Sequence, residues 1–125
     1  MQTVENNLLI AQFMELTQTE ENYFYNPDFE RAYRSRDLKY HSSYDWLMPV
    51  VEKIESLGYY TSICKMDSKD AFYMKIFPNS KTYNYQDKFF QFHFVSPIEH
   101  TEIRIYAVWN AVIMFIKWHN EQQKS

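Results

Sequence analysis

Apolar residues recur at helical spacing over residues 3–16. Val4, Leu8, Ala11 and then Met14 or Glu15 form one row, and Leu9, Phe13 and Leu16 widen it. Thr3 suits the N-cap of this helix, with Glu5 in its first turn. The clearest helical pattern covers 43–57, where Leu47, Val50, Val51, Ile54 and Leu57 share one face and Glu52, Lys53, Glu55 and Ser56 take the other. Ser42 and Asp45 resemble a capping box, Pro49 lies deep for a first turn, and Gly58 is a left-handed stop. Alternation then replaces the helical period. The runs 59–66 and 71–77 flank the polar turn Asp67-Ser68-Lys69-Asp70, and a third strand over 88–95 puts Phe90, Phe92 and Phe94 on one face. A last helix, from Glu99 or Thr101 to Asn120, carries Ile105, Val108, Trp109, Val112, Phe115 and Ile116 on its main stripe. Between the first two helices, 17–42 reads as a long irregular loop. Asn26-Pro27-Asp28 is a helix-start pattern there, with a short helix over 28–34 as one expectation.

The order α-α-β-β-β-α predicts an α+β fold in a single domain over 1–125. A small antiparallel sheet of about three strands packs with helices, in an arrangement like an α/β/α sandwich. The strand connections are too short for crossovers, so the pairing is antiparallel, and a sheet that small needs helices to cover its apolar face. The last helix also carries Ala107, Ala111, Met114 and Trp118, so it is apolar over much of its girth and needs a second covering surface. Two surfaces fit: the long loop folded back, or another copy of the chain through Trp109, Ile113, Met114 and Trp118.

Composition removes whole classes of chemistry. The 125 residues include a single glycine, where roughly nine are usual. A P-loop, a dinucleotide G-x-G-x-x-G and a G-x-S-x-G nucleophile elbow all need more. A net charge of −3 gives no global field toward long nucleic acid or an anionic membrane. Cys64 is alone and reads as a small core residue. His93, His100 and His119 lack ligand spacing, so neither a metal nor a cofactor is expected. MQTVENNLL has no basic start and no long apolar run, which predicts a cytoplasmic protein. Aromatic residues make up 19% of the chain, and many of its 11 tyrosines fall off the apolar faces, leaving rings for a pocket.

The run LKYHSSYDWLMPVVEKIESLGY, with AVWNAVIMFIKWHNEQ near the C-terminus and NNLLIAQFMEL near the start, resembles a family of small phage and prophage proteins described as a phage α/β/α sandwich domain. Tyr44 stands where that family's pattern has Trp, and His119 where it has Tyr. The resemblance implies a fold and a phage setting, hence the cytoplasm of the host cell. It implies no activity.

The candidate site lies just before and within the start of the second helix. Arg31, Arg34, Arg36 and Lys39 suit phosphate groups; Tyr40, His41, Tyr44 and Trp46, with Tyr33 interleaved, suit a stacked base. The same arginines have carboxylates at hand in Glu20, Glu21, Asp28, Glu30 and Asp37, so a solvated, ion-paired loop is the competing expectation. His41 and Asp45, four apart, are either an oriented imidazole or part of a helix cap. On the last helix, Arg104 and Tyr106 beside Trp109 and Trp118 suit cation–π stacking, although Trp109 sits on the core stripe.

Three functions follow as expectations. The leading one is a non-catalytic phage accessory protein that binds a small ligand, in one version an oligomeric sponge holding a nucleotide immune signal against host defence. The second is a nucleotide-processing enzyme with His41 as base. The third is an interaction or structural module acting through the C-terminal helix.

Overall fold

The computed structural model describes residues 2–65, 72–78 and 104–123. In chain order these hold α1 (Gln2–Phe13), β1 (Thr17–Glu20), β2 (Tyr23–Asn26), β3 (Arg31–Arg34), a 3-10 turn (Ser35–Asp37), α2 (Tyr44–Ser56), β4 (Tyr59–Lys65), β5 (Phe72–Pro78) and α3 (Arg104–Gln123). The fold is α+β, with antiparallel sheets ordered β1-β2-β3 and β4-β5. The third strand expected over 88–95 lies outside the described residues.

Residues 17–34 correct the expectation of an irregular loop with a short helix over 28–34: they form a three-stranded meander. Asn26 pairs with Arg31 across a four-residue loop, and β2 pairs with β1 through a register shift between Gln18 and Glu20. Asn26-Pro27-Asp28 builds a turn here instead of a helix start. Asn26 Oδ1 accepts the Asp28 backbone N–H at 3.0 Å, and the Asn26 carbonyl accepts from Phe29 at 3.2 Å. An Asx side chain satisfies the N–H two residues on in either setting, so the same three residues serve a cap or a hairpin. Glu30, at φ 51°, then turns the chain into β3, and Asn22, at φ 67°, does the same between β1 and β2. Neither position is a glycine, which hid both turns.

The helix ends follow local chemistry. At the end of α1, Glu15 adopts φ 58°, Leu16 N–H donates to the Ala11 carbonyl and Glu15 N–H to that of Gln12, a Schellman closure. Lys53 of α2 donates its ammonium to the Phe13 carbonyl and sits 4.7 Å over the Phe13 ring, placing a cation at the negative end of α1. The N-cap of α2 is Ser43 without a side-chain bond, so the Ser42–Asp45 box is not formed; the Lys39 carbonyl accepts from Ser42 and Ser43 instead. Gly58, at φ 102°, closes the C-terminus of α2 as expected.

One core joins the three helices, β2, β5 and the segment before α2. It contains Ile10 and Phe13 of α1, Phe24 of β2, Leu38 and Tyr40, Leu47, Val50 and Ile54 of α2, Met74 and Ile76 of β5, and Val108, Val112, Phe115 and Ile116 of α3. The cover that α3 needs comes from the same chain: α1, α2 and β5 pack on it. Trp109 and Ile113 are core residues, 5% and 4% exposed; of the four expected interface residues only Met114 is exposed, and Trp118 is partly buried.

His119 lies edge-on to Phe13 at 5.9 Å and stacks on Phe115 at 5.7 Å. Burial, and then the Lys53 charge, hold its pKa below the ordinary imidazole value. As pH falls, the unfolded chain takes up this proton before the folded one. Stability is therefore full above about pH 6.5, the unperturbed value, and declines below it. Urea unfolding at pH 7.5 and 5.5 should show a smaller acid loss in His119→Gln than in wild type. For the meander, hydrogen exchange should protect the amides of the central strand β2 more than those of β1, and Asn26→Ala should lower stability by about 1–2 kcal/mol in urea unfolding.

Candidate functional site

The basic residues that precede α2 meet around one open cleft. Its volume is about 630 Å³, and it is lined by Tyr23, Ala32, Tyr33 and Leu38 with Arg31, Arg34, Arg36, Asp37, Lys39 and His41. The meander makes this possible. β3 delivers Arg31–Arg34, the 3-10 turn brings Arg36 and Asp37 round, and the strand β2 beside it supplies Tyr23. A loop of the same sequence would scatter these charges.

Only part of the positive charge is neutralised locally. Arg34 Nε contacts Asp37 Oδ2 at 3.0 Å, both side chains nearly half exposed, and an exposed pair of this kind is weak. Arg31 lies 5.2 Å from the Tyr33 ring centroid, a cation–π contact. Among the described residues, Arg36 and Lys39 enter no ion pair, and both are exposed. Four cationic side chains thus face one carboxylate on a chain whose net charge is −3.

The aromatic part of the predicted site divides. Tyr40 and Trp46 are buried, 1% and 4% exposed, and neither lines the cleft. Trp46 takes Phe29 in a stack at 5.2 Å, Tyr33 edge-on at 4.7 Å and Tyr40 edge-on at 5.2 Å. It therefore fixes the ring of Tyr33, which does line the cleft. Burial, and secondarily the Asp28 charge, push the Tyr40 phenol well above its ordinary pKa, so it stays neutral. Tyr44 lies off the cleft, where burial raises its pKa against the opposing effect of Arg104.

His41 is held from behind by a residue that sequence reasoning missed. Asn7, 2% exposed, donates from Nδ2 to the Leu38 carbonyl at 3.1 Å, and the same nitrogen lies 2.8 Å from His41 Nδ1. Its Oδ1 accepts from Trp109 Nε1 at 2.9 Å. An indole N–H can only donate and a carbonyl can only accept, so these two partners fix the amide orientation. Nδ2 then donates to His41 as well, which leaves the imidazole proton on Nε2. Asp45 does not take the orienting role considered for it. A signal for Asn7 was present: it sits three residues after Val4 and four before Ala11, a polar residue within the apolar face of α1.

Among the described residues, no three His, Cys, Asp or Glu side chains converge as a metal site, and no helix is long and apolar enough to cross a membrane. No family model, curated protein or solved structure matches this chain.

Replacing Asn7 by Leu strands the Trp109 indole N–H and the Leu38 carbonyl, each a buried polar group. Urea unfolding followed by tryptophan fluorescence should show a loss of about 3 kcal/mol.

Proposed function

We propose that the protein binds a small phosphate-bearing ligand of the nucleotide class and holds it without chemical change. The observation that carries this reading is the cleft itself: Arg31, Arg34, Arg36 and Lys39 converge with Tyr23 and Tyr33 on one cavity of about 630 Å³. That volume falls in the range, roughly 300–1,000 Å³, of pockets for ligands of this size. Guanidinium groups match phosphate oxygens in pairs, and a tyrosine face accepts a base of any identity. An open cleft on an acidic chain suits a compact anion better than a long polyanion, whose flanking phosphates would meet the negative remainder of the surface.

His41 favours binding over catalysis. A general base needs a free lone pair within reach of its substrate. The Nδ1 lone pair of His41 is engaged by Asn7, and Nε2 carries the proton. The role of sequestering a nucleotide signal in a phage-infected cell is the biological form of this proposal, and its phage setting rests on the resemblance of the 38–59 run. An oligomer is part of the same proposal, with Met114 as its remaining exposed contact on α3.

Titration calorimetry with ADP-ribose, cyclic dinucleotides and nucleoside diphosphates should give binding that weakens with added salt, while the parent nucleosides bind far more weakly. Arg36→Ala and Lys39→Ala should each cost about tenfold in affinity, the loss of one charge-assisted hydrogen bond. Asp37→Asn, which frees Arg34, should tighten binding. After heat denaturation the ligand should be recovered intact; recovery of a converted product points to the enzyme reading, and absence of binding across the panel overturns the proposal.

A further inference from the structure

We propose that Asn7 is a positioning residue that makes His41 a fixed hydrogen-bond donor, so that the cleft reads an acceptor oxygen of the ligand's phosphate through His41 Nε2–H. This rests on the nucleotide reading above and assigns a role to His41, which charge alone does not explain.

A neutral imidazole has two tautomers and can present either an N–H or a lone pair to a ligand. In a solvated histidine both are accessible. Here the choice is made in the interior, 31 to 102 residues away along the chain from Asn7. Trp109 Nε1–H demands an acceptor from Asn7, and the Leu38 carbonyl demands a donor. Flipping the amide would oppose N–H to N–H at Trp109 and oxygen to oxygen at Leu38. Asn7 therefore presents N–H to His41 Nδ1 and cannot accept from it. The ring that lines the cleft is left with one outward polarity, that of a donor.

The consequence is selectivity by polarity. Donors surround the cavity in Arg31, Arg34, Arg36, Lys39 and His41, against the single carboxylate of Asp37. A phosphate, which accepts at every oxygen, satisfies all of them; a ligand offering an amine or ammonium at the same place meets only further donors. The donor is held by a buried amide, so little rotamer freedom remains to be lost when a ligand binds.

Nitrogen-15 NMR of the His41 ring in the ligand-free protein tests the geometry, and ADP-ribose binding tests the role. Wild type should show the Nε2–H tautomer. Asn7→Asp keeps an acceptor for Trp109 but offers another to His41, so it should move the ring proton to Nδ1. Affinity for ADP-ribose should fall about tenfold in His41→Leu and in Asn7→Asp, while His41→Gln, which keeps an N–H donor, retains most of it. An Nδ1–H tautomer in wild type overturns the inference, whether or not Asn7→Asp folds. ADP-ribose binding that survives His41→Leu overturns the role of His41 alone; failure of wild type to bind any nucleotide overturns the reading beneath it.

Discussion

A side-chain amide buried in an apolar core must find its partners there, and Asn7 finds three. Its bonds to Leu38, His41 and Trp109 tie α1 to the segment before α2 and to α3. Hydrophobic contacts hold these elements together but tolerate small rotations and slips. Hydrogen bonds with a set direction do not, because a displaced donor inside the core loses water and partner at once. Asn7 thereby defines how α1 is rotated against α3 and where the chain passes as it leaves the 3-10 turn. That passage places Lys39 and His41 at the cleft.

The second constraint is Trp46. Its indole receives Phe29 from the β2–β3 turn, Tyr33 from β3 and Tyr40 from the approach to α2. A two-stranded ribbon is marginal by itself, and even three short strands need an apolar face to lean on. The aromatic cluster provides it for a meander whose first strand is wholly exposed. Positive charge then gathers without collapse: four cations sit on a backbone held by β-pairing and ring packing, with only Asp37 among them. Exposed like charges repel weakly in water, so the four cations can share one open cleft at little cost to the fold.

Much of the fold was legible. The bounds of α1, the apolar rows of α2 and α3, the left-handed Gly58 and the antiparallel pairing of β4 with β5 follow from periodicity and local chemistry and stand in the structure, whereas the buried face of α1 runs through Asn7, Ile10, Ala11 and Phe13 rather than Val4 and Leu8. The meander was not, since β1 is polar at all four positions and its turns use Asn22 and Glu30 where glycine would have announced them. Asn26-Pro27-Asp28 fits a helix start and a hairpin turn equally, because capping and turning share one hydrogen bond. The apolar excess of α3 was legible, but an apolar surface says nothing of what covers it; here α1, α2 and β5 do, and they take Trp109 and Ile113 out of reach of a partner.

For the cleft the division is sharper. Sequence alone determined that Arg31, Arg34, Arg36, Lys39 and His41 stand close along the chain, that no glycine-built phosphate loop exists, and that three amphipathic helices and a hairpin must share a core. These are statements about spacing and composition, which local physics translates directly. Tertiary structure alone decided that the cations line one cavity, that Tyr40 and Trp46 are buried while Tyr44 stands apart from it, and that Asn7 rather than Asp45 meets His41 Nδ1. Those outcomes depend on contacts between residues tens of positions apart, above all Asn7 with Trp109. No local periodicity encodes which of two hydrogen-bond directions a buried amide will take.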